Sequence, residues 1–159
     1  MARTPTSSAL RLAAVAGALA CTLVRAEAPA PASARDFADQ VLAAVNDYRL
    51  RNQLPRLEPD DTLQALALEH SRDMSRSARL SHSGFQARFQ RAHRRLCVEN
   101  LAGGFRQADA VLDGWRASPT HLVNLLEPRV VRVGLAQVDG WVTLFACSTP
   151  VDYQIAAVR

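Results

Sequence analysis

Apolar residues along this chain recur at helical spacing over most of its length and at a two-residue period near its end. Phe37, Val41, Val45 and Tyr48 form a first helical stripe, broadened by Leu42, and Leu54-Pro55 ends it. Asp36 stands where an N-cap is expected, so the pattern predicts that structure begins there. Pro59-Asp60-Asp61 opens a second helix, with acids suited to its first turn. Leu63, Leu66, Ala67, His70 and Met74 then follow a buried i, i+3, i+4, i+7, i+11 stripe. His70 on that stripe reads as a hydrogen-bonded core residue rather than a ligand. Phe85 and Phe89 predict one short helix. Ala108, Val111, Leu112 and Trp115 share one face of another over Gln107 to Trp115. At Ser118-Pro119 the chain restarts with a serine cap and a proline suited to the first helical position. His121 then falls in a first turn, with Leu122, Leu125 and Leu126 inward.

The period changes after residue 130. Val131, Val133 and Leu135 alternate with Arg132, Gly134 and Ala136, Asp139-Gly140 is a two-residue hairpin signal, and Trp141 to Cys147 returns as an apolar strand. An earlier strand is predicted over Cys97 to Ala102, ended by Gly103-Gly104. Helices before a late antiparallel sheet, able to cover both its faces, predict an α+β domain built as a three-layer α-β-α sandwich. Trp115 and Trp141 read as core anchors.

Composition changes this only at the ends. The 159 residues, 48% hydrophobic and 21% charged, suit one globular domain with a leader. Arg3 and Arg11 precede the uncharged run Leu12 to Val24, and Val24-Arg25-Ala26 offers a cleavage site. Residues 1–26 therefore read as a signal peptide, since the run is short for a helix of about 20 residues spanning a bilayer. A second reading makes Ala18-Leu19-Ala20-Cys21 a lipidation box anchored at Cys21. Residues 27–35, rich in Pro and Ala, read as a linker, 36–149 as the domain and 150–159 as a tail. Removing the leader removes Arg3, Arg11 and Arg25 and leaves 16 basic against 15 acidic residues, a net +1. The pI of 9.6 is thus weak grounds for a nucleic-acid partner, and none is expected. No transmembrane segment remains, and the chain reads as a secreted or periplasmic monomer. Arg88, Arg91, Arg94 and Arg95 read as a solvated helix face. Cys97 and Cys147 remain after export, and a disulfide is favoured over two buried thiols. Neither has the neighbours of a zinc motif.

Three segments carry candidate chemistry: Ser81-His82-Ser83, Val98-Glu99-Asn100, and Trp115 through Ser118-Pro119-Thr120-His121. With Asn46 and Arg49 in the first helix and Leu63 to Met74 in the second, this ordered set resembles the CAP superfamily. That superfamily includes cysteine-rich secretory proteins, insect venom antigen 5 and plant pathogenesis-related proteins, and the Ser-Pro-Thr-His form is similar to its bacterial branch. The resemblance runs from about Asp36 to Cys147. It implies the CAP fold and a cleft where His82, Glu99 and His121 meet. Eukaryotic members often carry a second glutamate where this chain has Ser118, so a four-residue acid/base set is not complete here. Asp113, on the preceding helix, is not taken as its substitute.

Two imidazoles and a carboxylate are competent zinc ligands, with His82 and His121 the metal candidates. Their spacing of 17 and 22 positions resembles no local zinc motif, so only the implied fold joins them. Three readings stay open. The first is a binding module for a small apolar, lipid-like or cell-envelope ligand, with a divalent metal such as zinc as an optional cofactor. Sterol and fatty-acid binding are known in eukaryotic relatives. The second is a metal-assisted hydrolase of peptide or cell-wall material, with Glu99 as the candidate catalytic base; a base cannot also be a tight ligand. The third is a protein-interaction scaffold in which the polar cluster is structural. Ser81 and Ser83 flank His82 too closely to face it as nucleophiles.

Overall fold

The computed structural model describes residues 32–150, together with Met1. The leader, the cleavage site, Cys21, most of the expected linker and nearly all of the tail lie outside those residues. Elements run in the order α1 (Ala32–Arg51), β1 (Glu58–Pro59), α2 (Asp61–Ser77), α3 (Phe85–Ala92), β2 (Cys97–Gly103), α4 (Ala108–Ala117), α5 (Pro119–Leu125), β3 (Arg132–Val138) and β4 (Trp141–Cys147). The sheet order is β1-β3-β4-β2. Helices cover both faces: α1 and α4 with one core, α2 and α3 with the other. The α-β-α sandwich expected from the pattern is therefore the fold.

Two cores follow from strand alternation. Val133, Leu135, Val142, Leu144 and Ala146 join Val41, Val45, Val111 and Trp115 on the first face. Ala136, Phe145, Cys97 and Cys147 join Leu63, Leu66 and Ala67 on the second. Each fully buried Val or Leu contributes roughly 1.5–3 kcal/mol of transfer free energy. Gly134 sits where α2 crosses β3: a Cβ there would lie 2.1 Å from the backbone of Leu63. The missing side chain is what lets the helix's first turn rest on the strand. Asp60 caps that turn, its Oδ1 accepting from Leu63 N at 3.0 Å.

Several expectations need correction. The sheet is mixed, because β1 pairs in parallel with β3, at Glu58↔Arg132 and Pro59↔Val133. Pro59 can occupy this edge because Glu58 N and Asp60 N supply the bonds, to Val131 O and Val133 O. Past β1, Gln64 takes the place of a strand, donating to Leu135 O at 3.0 Å and accepting from Leu135 N at 2.9 Å. Helix α1 begins at Ala32, so Asp36 lies within it and is no cap, and the last linker positions are helical. Trp141 is half-buried and lies over Gly103 at the sheet's end rather than in a core, whereas Trp115 is 1% exposed. The Asp139-Gly140 turn has positive φ at both residues, 49° and 85°, as a tight hairpin requires. Among the described residues no helix is long and apolar enough to cross a membrane.

Candidate functional site

Strand β2 brings Cys97 opposite Cys147 and Glu99 opposite Phe145, so both face the α2–α3 layer. Cys97 and Cys147 form a disulfide that closes a loop of 50 residues, worth roughly 4 kcal/mol in the chain-entropy model. It fastens β2 to β4 two residues from Glu99. The Glu99 side chain is 1% exposed, and its charge is met inside the protein. Arg88 donates from Nε to Oε2 at 2.9 Å and from Nη2 to Oε1 at 3.0 Å, a two-pronged pair. His82 Nδ1 lies 2.8 Å from Oε1. A carboxylate held by a guanidinium can only accept, so Nδ1 carries a proton, and in the neutral ring the lone pair is then at Nε2. The His82 side chain is 56% exposed, so this imidazole is open to solvent above a buried ion pair.

The loop bearing His82 is held at three consecutive residues. His70 Nε2 meets Ser81 O at 2.8 Å, Glu99 holds the His82 ring, and Arg88 Nη1 donates to Ser83 O at 2.9 Å. Gly84 has φ 75°, and a Cβ there would come 3.2 Å from Arg88 Nη1. A glycine at this position both permits the turn into α3 and leaves room for the guanidinium. His70 is buried and hydrogen-bonded, as its place on the stripe implied. Its Nε2 is also 3.9 Å from Glu99 Oε1. Burial first, then the Arg88 charge, lowers its pKa against the pull of Glu99, the Ser81 carbonyl and Asp73.

His121 sits in the first turn of α5, whose placement depends on amides. Asn100 Nδ2 donates to His121 O at 3.0 Å, and Asn124 Nδ2 donates to Glu99 O at 3.1 Å and Asn100 Oδ1 at 2.9 Å. Trp115 Nε1 donates to Leu101 O at 2.8 Å, fixing α4 to the same strand. Burial first, then the charge of His82, lowers the His121 pKa. Ser118 is the N-cap of α5, its Oγ 3.2 Å from Thr120 Oγ1. Asp113 pairs with Arg116 at 3.0 Å on the exposed side of α4.

The solvated-face reading of the arginine cluster fails at two of its four members. Arg88 is buried on Glu99, and the Arg94 side chain, 8% exposed, pairs with Asp60 at 2.7 Å. Only Arg91, paired with Glu69, and Arg95 are exposed. A signal for Arg88 existed: it falls at the i+3 position of the Phe85, Phe89, Ala92 stripe, where an arginine needs a buried partner.

The donor set does not fit a metal cage. Zinc held by protein takes three or four N, S or O ligands. Among the described residues no group of three or more His, Cys, Asp or Glu side chains is gathered to hold an ion. Glu99 has both oxygens engaged, and Ser118 stands where the second carboxylate would be.

Comparison with known proteins agrees with this architecture. An extracellular protein of Bacillus anthracis containing an SCP domain superposes with TM-score 0.69 at 26% identity, over 77% of this chain and 45% of that one. A cysteine-rich secretory protein of Staphylococcus aureus gives 0.68 at 14% identity, over 74% and 40%, and shares the fold. An outer surface protein of Borrelia burgdorferi gives 0.64 at 23% identity, over 72% and 95%. The chain thus spans less than half the length of the first two. No curated protein matches it. Residues 42–147 match the model of the cysteine-rich secretory protein family, well over half of the sequence, and the chain belongs to that CAP family.

Proposed function

We propose that this CAP domain is an exported binding module for an amphiphilic ligand of the cell envelope, and not a hydrolase. The observation that carries this reading is the engagement of Glu99. A carboxylate 1% exposed to solvent, with both oxygens on Arg88 and one also on His82, is withdrawn from the water it would have to deprotonate. What the cleft offers instead is hydrogen bonding: His82 Nε2 as an acceptor, beside the depressed imidazole of His121. Ligand hydroxyl or amide protons suit such acceptors. An apolar portion is suggested by the surface nearby in sequence. Leu80 and Val123, two of the few large exposed hydrophobic residues, each lie two positions from a cleft histidine. Export is supported by the leader and by the extracellular and outer-surface character of the similar bacterial proteins.

The test is an NMR titration with octyl glucoside below its micelle concentration, a neutral hydroxylated head on an apolar tail. Shifts are expected at His82, His121, Leu80 and Val123, with affinity at least tenfold weaker in His82→Ala/Val123→Ser. Shifts spread elsewhere, or peptide or cell-wall hydrolysis that disappears in Glu99→Gln, would overturn the reading.

A further inference from the structure

We propose that Arg88 is a built-in counter-cation that determines what the cleft can bind, by keeping Glu99 out of the donor set and so barring a divalent metal. This rests on the same cleft as the proposed function but is tested independently of any organic ligand. The argument is electrostatic and geometric. A divalent ion is drawn to a carboxylate because the carboxylate's charge is unmet. Here the guanidinium meets it with two parallel hydrogen bonds, at 2.9 and 3.0 Å, inside a site where Arg88 and Glu99 are almost wholly buried. An ion approaching Glu99 would have to displace Arg88, leaving a second buried positive charge beside the first.

Arg88 is also fixed from behind. Its Nη1 donates to Ser83 O, and α3 holds its backbone through Gly84 O. The fork therefore cannot swing aside without releasing the His82 loop. The remaining donors are two imidazoles, fewer than a zinc site requires. Arg88 acts as a positioning residue as well: by holding the Glu99 carboxylate in place it turns His82 Nδ1 inward and leaves Nε2 facing out.

Zinc titration of the oxidised protein tests this, by calorimetry and by the carboxyl ¹³C resonance of Glu99. In the wild type the Glu99 resonance stays unmoved by zinc, and any affinity is unchanged within twofold in Glu99→Gln. Arg88→Gln gains at least tenfold in zinc affinity, and the gain vanishes in Arg88→Gln/Glu99→Gln. Should Arg88→Gln fail to fold, the wild-type resonance still decides the matter. A Glu99 carboxyl shift on adding zinc to the wild type, or a folded Arg88→Gln with no gain, overturns the proposal. Tight zinc binding by the wild type would refute the role of Arg88 while leaving the octyl glucoside result to stand or fall alone.

Discussion

Two buried arginines serve different ends in this molecule, one closing a corner of the fold and the other holding the carboxylate beneath the exposed His82. Arg49, wholly buried at the end of α1, makes no pair with a carboxylate that it must share with solvent-facing groups. Its Nε donates to Pro55 O at 3.0 Å, and its amino groups donate to Leu125 O at 2.7 Å, Glu127 O at 3.1 Å and Val130 O at 3.0 Å. It ties together the ends of α1 and α5 and the loop into β3, and it is spent entirely on backbone. Arg88, equally buried in effect, is spent on a carboxylate that also holds an exposed imidazole. One arginine completes a fold where carbonyls would otherwise be unmet. The other passes order outward to a side chain in solvent.

The largest expected effect separates the two by rescue. Arg49→Met leaves several buried carbonyls without donors and should cost about 4–5 kcal/mol, a fall of roughly 20 °C in melting midpoint. No second side-chain substitution repairs it, because the partners are backbone. Arg88→Gln should cost about 3–4 kcal/mol by stranding a buried carboxylate, but adding Glu99→Gln removes the stranded charge and should recover at least half. Urea unfolding of the four proteins checks this. A double variant as unstable as the sum of its parts would show that Arg88 does not act on stability through the charge of Glu99.

A smaller effect separates them by pH. On the side of Arg88, the buried His70 has a pKa below the ordinary 6.5, as does His121 in α5. The unfolded chain therefore takes up protons first as acid is added. Stability is full above about pH 6.5 and declines as pH falls below it. At the Arg49 corner, Glu127 is held down to about 2 from 4.5, chiefly by hydrogen bonds from Arg129 with a further pull from Arg49. Its contribution is intact above 4.5 and lost only between there and 2. Between pH 7 and pH 5 the melting midpoint should thus drop through His70 and His121 rather than through Glu127, by roughly a few degrees. The drop should shrink in His70→Gln, whose amide can still donate to Ser81 O. An undiminished slope in that variant would place the acid sensitivity elsewhere.

The same contrast explains what was legible in the sequence. Periodicity places α2, because Leu63, Leu66, Ala67, His70 and Met74 all face the sheet, and Asp139-Gly140 places the β3–β4 hairpin. These are local rules. The two-residue β1 has no period to read; it exists because β3 offers an edge. The lock on Glu99 is equally non-local. Nothing in Arg88 announces a partner eleven positions away on another element, except its place on the Phe85–Phe89 stripe. Charge clustering spoke louder there than periodicity and pointed the wrong way. His82, Glu99 and His121 could be named from their motifs, but which oxygen and which nitrogen remain free depends on that arginine.

The most direct test of the account is the tautomer of His82 in the ligand-free protein, read from its ring ¹⁵N shifts and long-range couplings at pH 8. A carboxylate gripped by Arg88 and bonded to His82 Nδ1 requires a single form of the neutral ring, protonated at Nδ1 with a lone pair at Nε2. A ring protonated at Nε2, or averaging between the two forms, would mean that Glu99 does not grip His82, and the site would lose its organising contact.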